Sequence, residues 1–106
     1  MRVDVSFKNL HKNDVLERTI EKNVKKVQKR TRLFKNEAPI HLSLHLEKNP
    51  HREQFFCWAN LYLPSKVLKA QANYSNTCST VNNTFAALLK QLDKFKHKVE
   101  THLRKK

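Results

Sequence analysis

Six histidines, two cysteines and a scatter of hydroxyls are the side chains able to do covalent or metal chemistry, and their spacing supplies little of it. His41 and His45 share one face of an alternating run, yet four residues of strand hold them about 13 Å apart. His11 and His51 are isolated, and His97 and His102 fall on different sectors of one helical pattern. No His/carboxylate pair, no Ser/His/Asp set and no phosphate-cradling glycine loop can be picked out, and the chain has no glycine at all. Solvated histidines are therefore the expectation, and no catalytic residue is named. Cys57 and Cys78 lie 21 residues apart without a CxxC and without a histidine at ligand spacing, so they read as small reduced core residues and no metal site is expected. Nothing calls for a cofactor or a small-molecule substrate. The NYS at Asn73 and NNT at Asn82 fit a glycosylation pattern that matters only on a secretory route.

The chemistry that remains is charge. Twenty-two Lys and Arg against nine Asp and Glu give a net charge of +13 and a pI near 10.1 on 106 residues. That field draws polyanions, of which nucleic acid is the commonest inside a cell. An anionic membrane is the rival, but it wants an amphipathic helix with exposed apolar residues or a lipid anchor, and neither is evident. The first residues, MRVDVSFKNL, contain no long apolar run, and nowhere are there 18 consecutive apolar residues, so a cytoplasmic protein without a membrane partner is expected.

Nine of the basic residues lie between Lys12 and Lys35 and seven between Lys90 and Lys106. At about 100° per residue, Arg18, Lys22, Lys25, Lys29 and Arg32 fall roughly opposite an apolar stripe, with Glu17 and Glu21 together to one side. In the last segment Lys90, Lys94, Lys98 and Lys105 share a sector, and Asp93 and Glu100 share another. Lys90-Lys94-Lys98 and Lys22-Lys26-Arg30 place like charges at i,i+4, a small local cost that is relieved when a polyanion neutralises them. Contacts from such lysines are to phosphate rather than to base edges.

The elements that must position this charge follow from periodicity. Arg2 to Phe7 alternates as a half-buried strand, with Val3, Val5 and Phe7 on one face. Asn13 or Asp14 can cap a helix running to about Phe34, with Glu17 completing a capping box from Asp14 and with Leu16, Ile20, Val24, Val27 and Phe34 as its stripe. Asn36-Glu37-Ala38-Pro39 ends it. Strands are expected over 40–47, 53–63 and 67–73, turned at Lys48-Asn49-Pro50-His51 and Pro64-Ser65. A last helix of about 28 residues starts near Asn76 or Thr77 on the stripe Val81, Phe85, Leu88, Leu92, Phe95, Val99 and Leu103; it is about 42 Å long, and its last turns are expected to project past the sheet.

The order β-α-β-β-β-α gives an α+β, two-layer domain spanning residues 1–106, with both helices on one face of an antiparallel-rich four-stranded sheet. Without glycine, left-handed turn positions fall to Asn49, Asn73 or Asn76. If Cys57, Ala59 and Leu61 face the helices, then Phe56, Trp58 and Tyr62 line the open face. There they can stack on unpaired bases, pack on neighbouring strands or cover a protein contact.

With order and charge in hand, the chain resembles the short ribosome hibernation-promoting factor and ribosome-associated inhibitor family, also known as the sigma-54 modulation family. Lys8-Asn9, Lys26-Val27-Gln28-Lys29, LYLPS at 61–65 and LKAQA at 68–72 look like its successive blocks. Residues 88–98, LLKQLDKFKHK, are similar to its terminal pattern Leu-x-Arg-Gln-Leu-x-Lys-x-x-x-Lys. The chain departs from the family's Asp-x-Tyr-x-Ala-Ile-Asp helix start and the Asp-Lys pair after it, where it carries Asn76, Cys78, Thr80, Val81, Asn82, Ala86 and Ala87. Trp58 stands where an acidic residue is common. The resemblance implies a fold like a double-stranded-RNA-binding domain, lodged in the small ribosomal subunit against 16S rRNA and silencing translation in dormancy. It leaves open whether ribosome dimers form through other factors. It implies rRNA phosphate contacts at Lys26, Lys29, Lys90, Lys94 and Lys98, to which the charge pattern adds Lys22, Lys25 and Lys105. The chain has neither the second domain of long members nor the acidic tail of the inhibitor branch, which favours the hibernation-promoting branch. The alternative expectation is a protein that binds free double-stranded RNA without ribosome specificity.

Overall fold

A computed structural model describes residues 1–32, 40–64 and 66–104, with side chains described as far as residue 98. The elements are β1 (Arg2–Lys8), α1 (Asp14–Arg30), β2 (His41–Lys48), β3 (Phe55–Tyr62), β4 (Val67–Tyr74) and α2 (Thr77–Arg104), in the order expected. The four strands form one sheet in the order β1-β2-β3-β4. Two antiparallel hairpins join β2, β3 and β4, while β1 runs parallel to β2 because α1 carries the chain back across the layer.

Alternation sorts each strand into two faces. Leu42, Leu44 and Leu46 of β2, Cys57, Ala59 and Leu61 of β3, and Leu68 and Ala70 of β4 are buried against the helices. They meet Leu16, Ile20 and Val27 of α1 and Val81, Phe85, Leu88 and Leu92 of α2 in one apolar cluster, with Phe95 packed against it. α2 packs on β3 and β4, and α1 packs on α2. The inward face of edge strand β1 is thus only partly roofed: Val3 and Phe7 are half-buried, but Val5 stays exposed on the face expected to be covered.

Both helices are capped by asparagine. Asn13 Oδ1 accepts the Leu16 amide at 2.8 Å, and Asn76 Oδ1 accepts the Ser79 amide at 2.9 Å. Asn13 rather than Asp14 therefore occupies the cap position, and Glu17 turns to Lys12 at 3.2 Å instead of closing a capping box. α1 ends at Arg30, with the Thr31 amide donating to the Val27 carbonyl, four residues short of the expected end; Phe34 lies outside the described residues. Asn49 holds the β2–β3 turn through its side chain, which accepts from the His51 amide at 2.9 Å. Among the described residues the left-handed position is Asn9, φ 56°, not Asn49, Asn73 or Asn76. An Asx side chain tolerates that conformation best where glycine is unused.

Candidate nucleic-acid interface

The two helices run side by side in the same sense, and three contacts fix their register. Thr19 Oγ1 donates to Cys78 Sγ at 3.5 Å, the buried Asn23 Nδ2 donates to Asn82 Oδ1 at 2.9 Å, and Arg30 Nε meets Asp93 Oδ1 at 3.0 Å. With the apolar stripes turned to the sheet, the cations are turned away from it. On α1 a shallow cleft of about 390 Å³ is lined by Arg18, Glu21, Lys22, Lys25, Lys26 and Lys29. On α2 a second, of about 430 Å³, is lined by Lys90, Asp93, Lys94, His97 and Lys98.

The Arg30–Asp93 bridge ties α1 to α2, and its Asp93 lines the α2 cleft. Lys26 stands one turn before Arg30, and Lys90 stands one turn before Asp93, so the cationic sectors of both helices flank this interhelical ion pair. All seven described lysines of the sequence expectation, Lys22, Lys25, Lys26, Lys29, Lys90, Lys94 and Lys98, are exposed, and among the described residues none forms an ion pair with a carboxylate. Lys105 lies outside the described residues. Part of the α1 charge also has a local role, since Lys29 and Arg30 occupy the last turn, where the helix dipole favours cations.

Two details depart from the helical wheel. Arg30 is not a free member of the Lys22-Lys26-Arg30 row, because packing of α1 on α2 hands it to Asp93. Glu21 does not stand apart from the cations but lines their cleft. Arg18 lines it too, as its sector implied.

The opposite face of the sheet holds what sequence reading did not find. His41 Nε2 lies 2.6 Å from Asp4 Oδ2, and Arg2 Nε reaches the same oxygen at 3.2 Å. His45 Nδ1 lies 2.7 Å from Ser6 Oγ, with its Nε2 3.4 Å from Glu47 Oε1. His/carboxylate pairs therefore exist, contrary to expectation. The Asp4–His41 and Ser6–His45 contacts escape the sequence because residues 37 and 39 apart meet only through the parallel β1–β2 register, whereas Glu47 lies two residues from His45 on the same strand face, a spacing visible in the sequence. In the Ser–His–carboxylate arrangement of hydrolases the nucleophile sits on Nε2 and the carboxylate on Nδ1; here the order is reversed, and both groups rivet edge strand β1 to β2.

The open-face aromatics pack on these histidines and on each other. His41 stacks on Tyr62 at 5.3 Å between centroids, Trp58 lies 5.5 Å from His45, and Phe56 stacks on Trp58 at 5.8 Å and 13°. Cys57, on the inward side of the same strand, is fully buried, and burial pushes its thiol up to about 11. It is an inert core group. Among the described residues no cluster of three or more His, Cys, Asp or Glu could hold a metal ion, and no helix is long and apolar enough to cross a membrane.

No curated protein sequence matches the chain significantly. Solved structures share its fold, two of them over nearly their whole length. The N-terminal domain of Thermus thermophilus Protein Y superimposes with a TM-score of 0.70 at 12% identity, covering 90% of this chain and 99% of that one. A ribosomal subunit interface protein from Coxiella burnetii gives 0.69 at 20% identity, covering 92% and 99%. At the sequence level, residues 3–100 match the family described as sigma 54 modulation protein / S30EA ribosomal protein. A match over nearly the whole chain, on a fold whose two helices present paired cationic clefts, makes this protein a member of that ribosome-associated hibernation family.

Proposed function

We propose that the protein is a non-enzymatic, cytoplasmic silencer of translation that occupies the decoding region of the small ribosomal subunit and is anchored there by 16S rRNA phosphates. Lys22, Lys25, Lys26 and Lys29 of α1 and Lys90, Lys94 and Lys98 of α2 are the anchoring residues, and Lys105 extends the same sector. The observation that carries the reading is the pair of lysine clefts flanking the Arg30–Asp93 bridge; among the described residues none of the lysines lining them is spent on the chain's own carboxylates. Like charges held this close on two adjoining helices repel one another in the free protein, and a dense array of phosphates relieves that repulsion while releasing counterions. The whole chain acts as one ribosome-binding domain.

Co-sedimentation tests it. The protein should pellet with 30S subunits and 70S ribosomes at low salt and be released as salt rises. Failure to pellet at low salt overturns the reading. Equal affinity for bare duplex RNA and intact 30S subunits would instead identify a general structured-RNA binder.

A further inference from the structure

We propose that the open face of the sheet is a second RNA-contacting surface, a stacking platform for unpaired nucleobases centred on Trp58 and Phe56. The inference rests on the ribosome-bound reading above and adds a different chemistry on the opposite side of the molecule.

Cross-strand register builds the platform. Phe56, Trp58 and Tyr62 alternate outward from β3, and His45 and His41 stand opposite Trp58 and Tyr62 on β2. The result is two rows of π faces, Phe56–Trp58–His45 and Tyr62–His41, each held by ring contacts of 5.3 to 5.8 Å. Beside the first row is a cleft of about 340 Å³ lined by Phe56, Trp58, Gln71, Ala72 and Asn73. That is within the size range of small-ligand sites. Gln71 and Asn73 stand opposite Trp58 and Phe56 on β4. Among the described residues the Gln71 amide has no hydrogen-bond partner, and Asn73 uses only its oxygen, which accepts from Gln54 Nε2 at 3.4 Å. A planar ring stacked in the cleft would therefore find amide groups able to meet its polar edge.

The choice of occupant follows from what the face lacks. Apart from the marginal Val67, its apolar area is entirely aromatic, so what it offers an occupant is π faces on which bases can stack. Its two carboxylates are already opposed: Asp4 by Arg2 and His41, and Glu47 by Lys8 at 4.0 Å and by His45. Lys69, opposite Asn60, has no carboxylate partner among the described residues. A phosphate backbone can thus cross this face without meeting an unopposed negative charge, while base stacking supplies the affinity.

Trp58 is the only tryptophan in the chain, so its emission reports on the platform directly. The protein is titrated with a 5′-labelled uridine octamer and with a labelled abasic ribose-phosphate octamer of the same charge, with affinities of the wild type and of every variant read from the anisotropy of the label and Trp58 emission followed in the wild type. The uridine octamer should quench Trp58 and bind about 5- to 150-fold more tightly than the abasic one, the gain expected for a single stacked base. Trp58→Ala should abolish that advantage and Trp58→Phe should keep most of it, with circular dichroism confirming the fold. Should Trp58→Ala fail to fold, Trp58→Phe and the base-against-abasic comparison decide. Lys90→Ala with Lys94→Ala should weaken both octamers or neither, leaving the base advantage in place. Equal binding of the two octamers, or an advantage that survives Trp58→Ala, overturns the proposal. So does a concentration-dependent change in Trp58 emission without RNA, accompanied by dimer mass, which would give the face to a second copy. Any of these with wild-type pelleting on 30S intact leaves the ribosome-binding reading standing, whereas loss of pelleting removes that reading itself.

Discussion

Replacing Lys90 and Lys94 by alanine is the sharpest perturbation of the helical surface, because its effect on salt dependence can be worked out before the measurement. The two clefts present seven lysines, Lys22, Lys25, Lys26, Lys29, Lys90, Lys94 and Lys98, together with Arg18. If all of these meet phosphate, log K for 30S subunits should fall against log salt with a slope of about −6 to −7, and affinity should drop by about 10⁴ between roughly 50 and 200 mM. Removing two contacts should flatten the slope by about 1.5. At about 100 mM salt the counterions released per phosphate contact are worth roughly five- to eightfold, so the variant should bind about 25- to 60-fold more weakly. Both side chains are exposed and, among the described residues, neither pairs with a carboxylate; their loss relieves an i,i+4 repulsion, so the fold should be unaffected. The assay is equilibrium binding of labelled protein to 30S subunits at four salt concentrations, with thermal melts as the control. A wild-type slope of magnitude below about 2, or a variant slope equal to wild type, would refute the claim that the α2 cleft sits on phosphate.

Asp93→Ala should tighten RNA binding about fivefold and steepen the salt slope by about 1, since it deletes a carboxylate between the clefts and frees Arg30. Its stability cost should stay below about 1 kcal/mol because both partners are substantially exposed; weaker binding would show instead that the bridge orients the site. Cys57 is held as a thiol up to about 11 in the fold against 9.0 for a free side chain. The unfolded chain therefore loses its proton first, and stability should fall as pH rises from about 9 to 11. Compared with Cys57→Ala, the wild type should lose about 2–3 kcal/mol more across that window in denaturant titrations, and parallel curves would refute it. Asn76→Ala removes the cap from a helix with no acid in its first turn and should cost about 1 kcal/mol, read as a melting shift of about 4 °C. An unchanged melting temperature would mean that water satisfies the Ser79 amide equally well.

The parts of this structure legible in the sequence are those encoded by local period. The Leu42, Leu44, Leu46 alternation and the Val81, Phe85, Leu88, Leu92 stripe each name an element and its buried face without reference to anything distant. What stayed hidden depends on which element lies next to which. The buried Asn23 breaks no period, yet it is the α1 contact to Asn82; Arg30 reads as one more cation until α2 brings Asp93 to it. Asp4 and His41 meet because β1 is parallel to β2, a relation set by the crossover through α1 and by no residue in either strand. Cap position was lost for a subtler reason: Asn13 and Asp14 are both good caps, and only the backbone chooses between them.

The same distinction bears on how the protein can hold RNA. Helical lysines are flexible point charges whose placement tolerates loose geometry, so a charge pattern readable from sequence is enough to build that surface. Stacking on Trp58 and Phe56 demands fixed rings, and here the rings are fixed by His45 and by cross-strand neighbours that only the sheet register supplies. A surface of the first kind confers affinity that salt removes. One of the second kind keeps its grip as salt rises, because stacking releases no counterions. Trp58→Ala should accordingly weaken binding to 30S subunits by about the same factor at every salt concentration, leaving the salt slope unchanged, whereas loss of the helical lysines should flatten the slope.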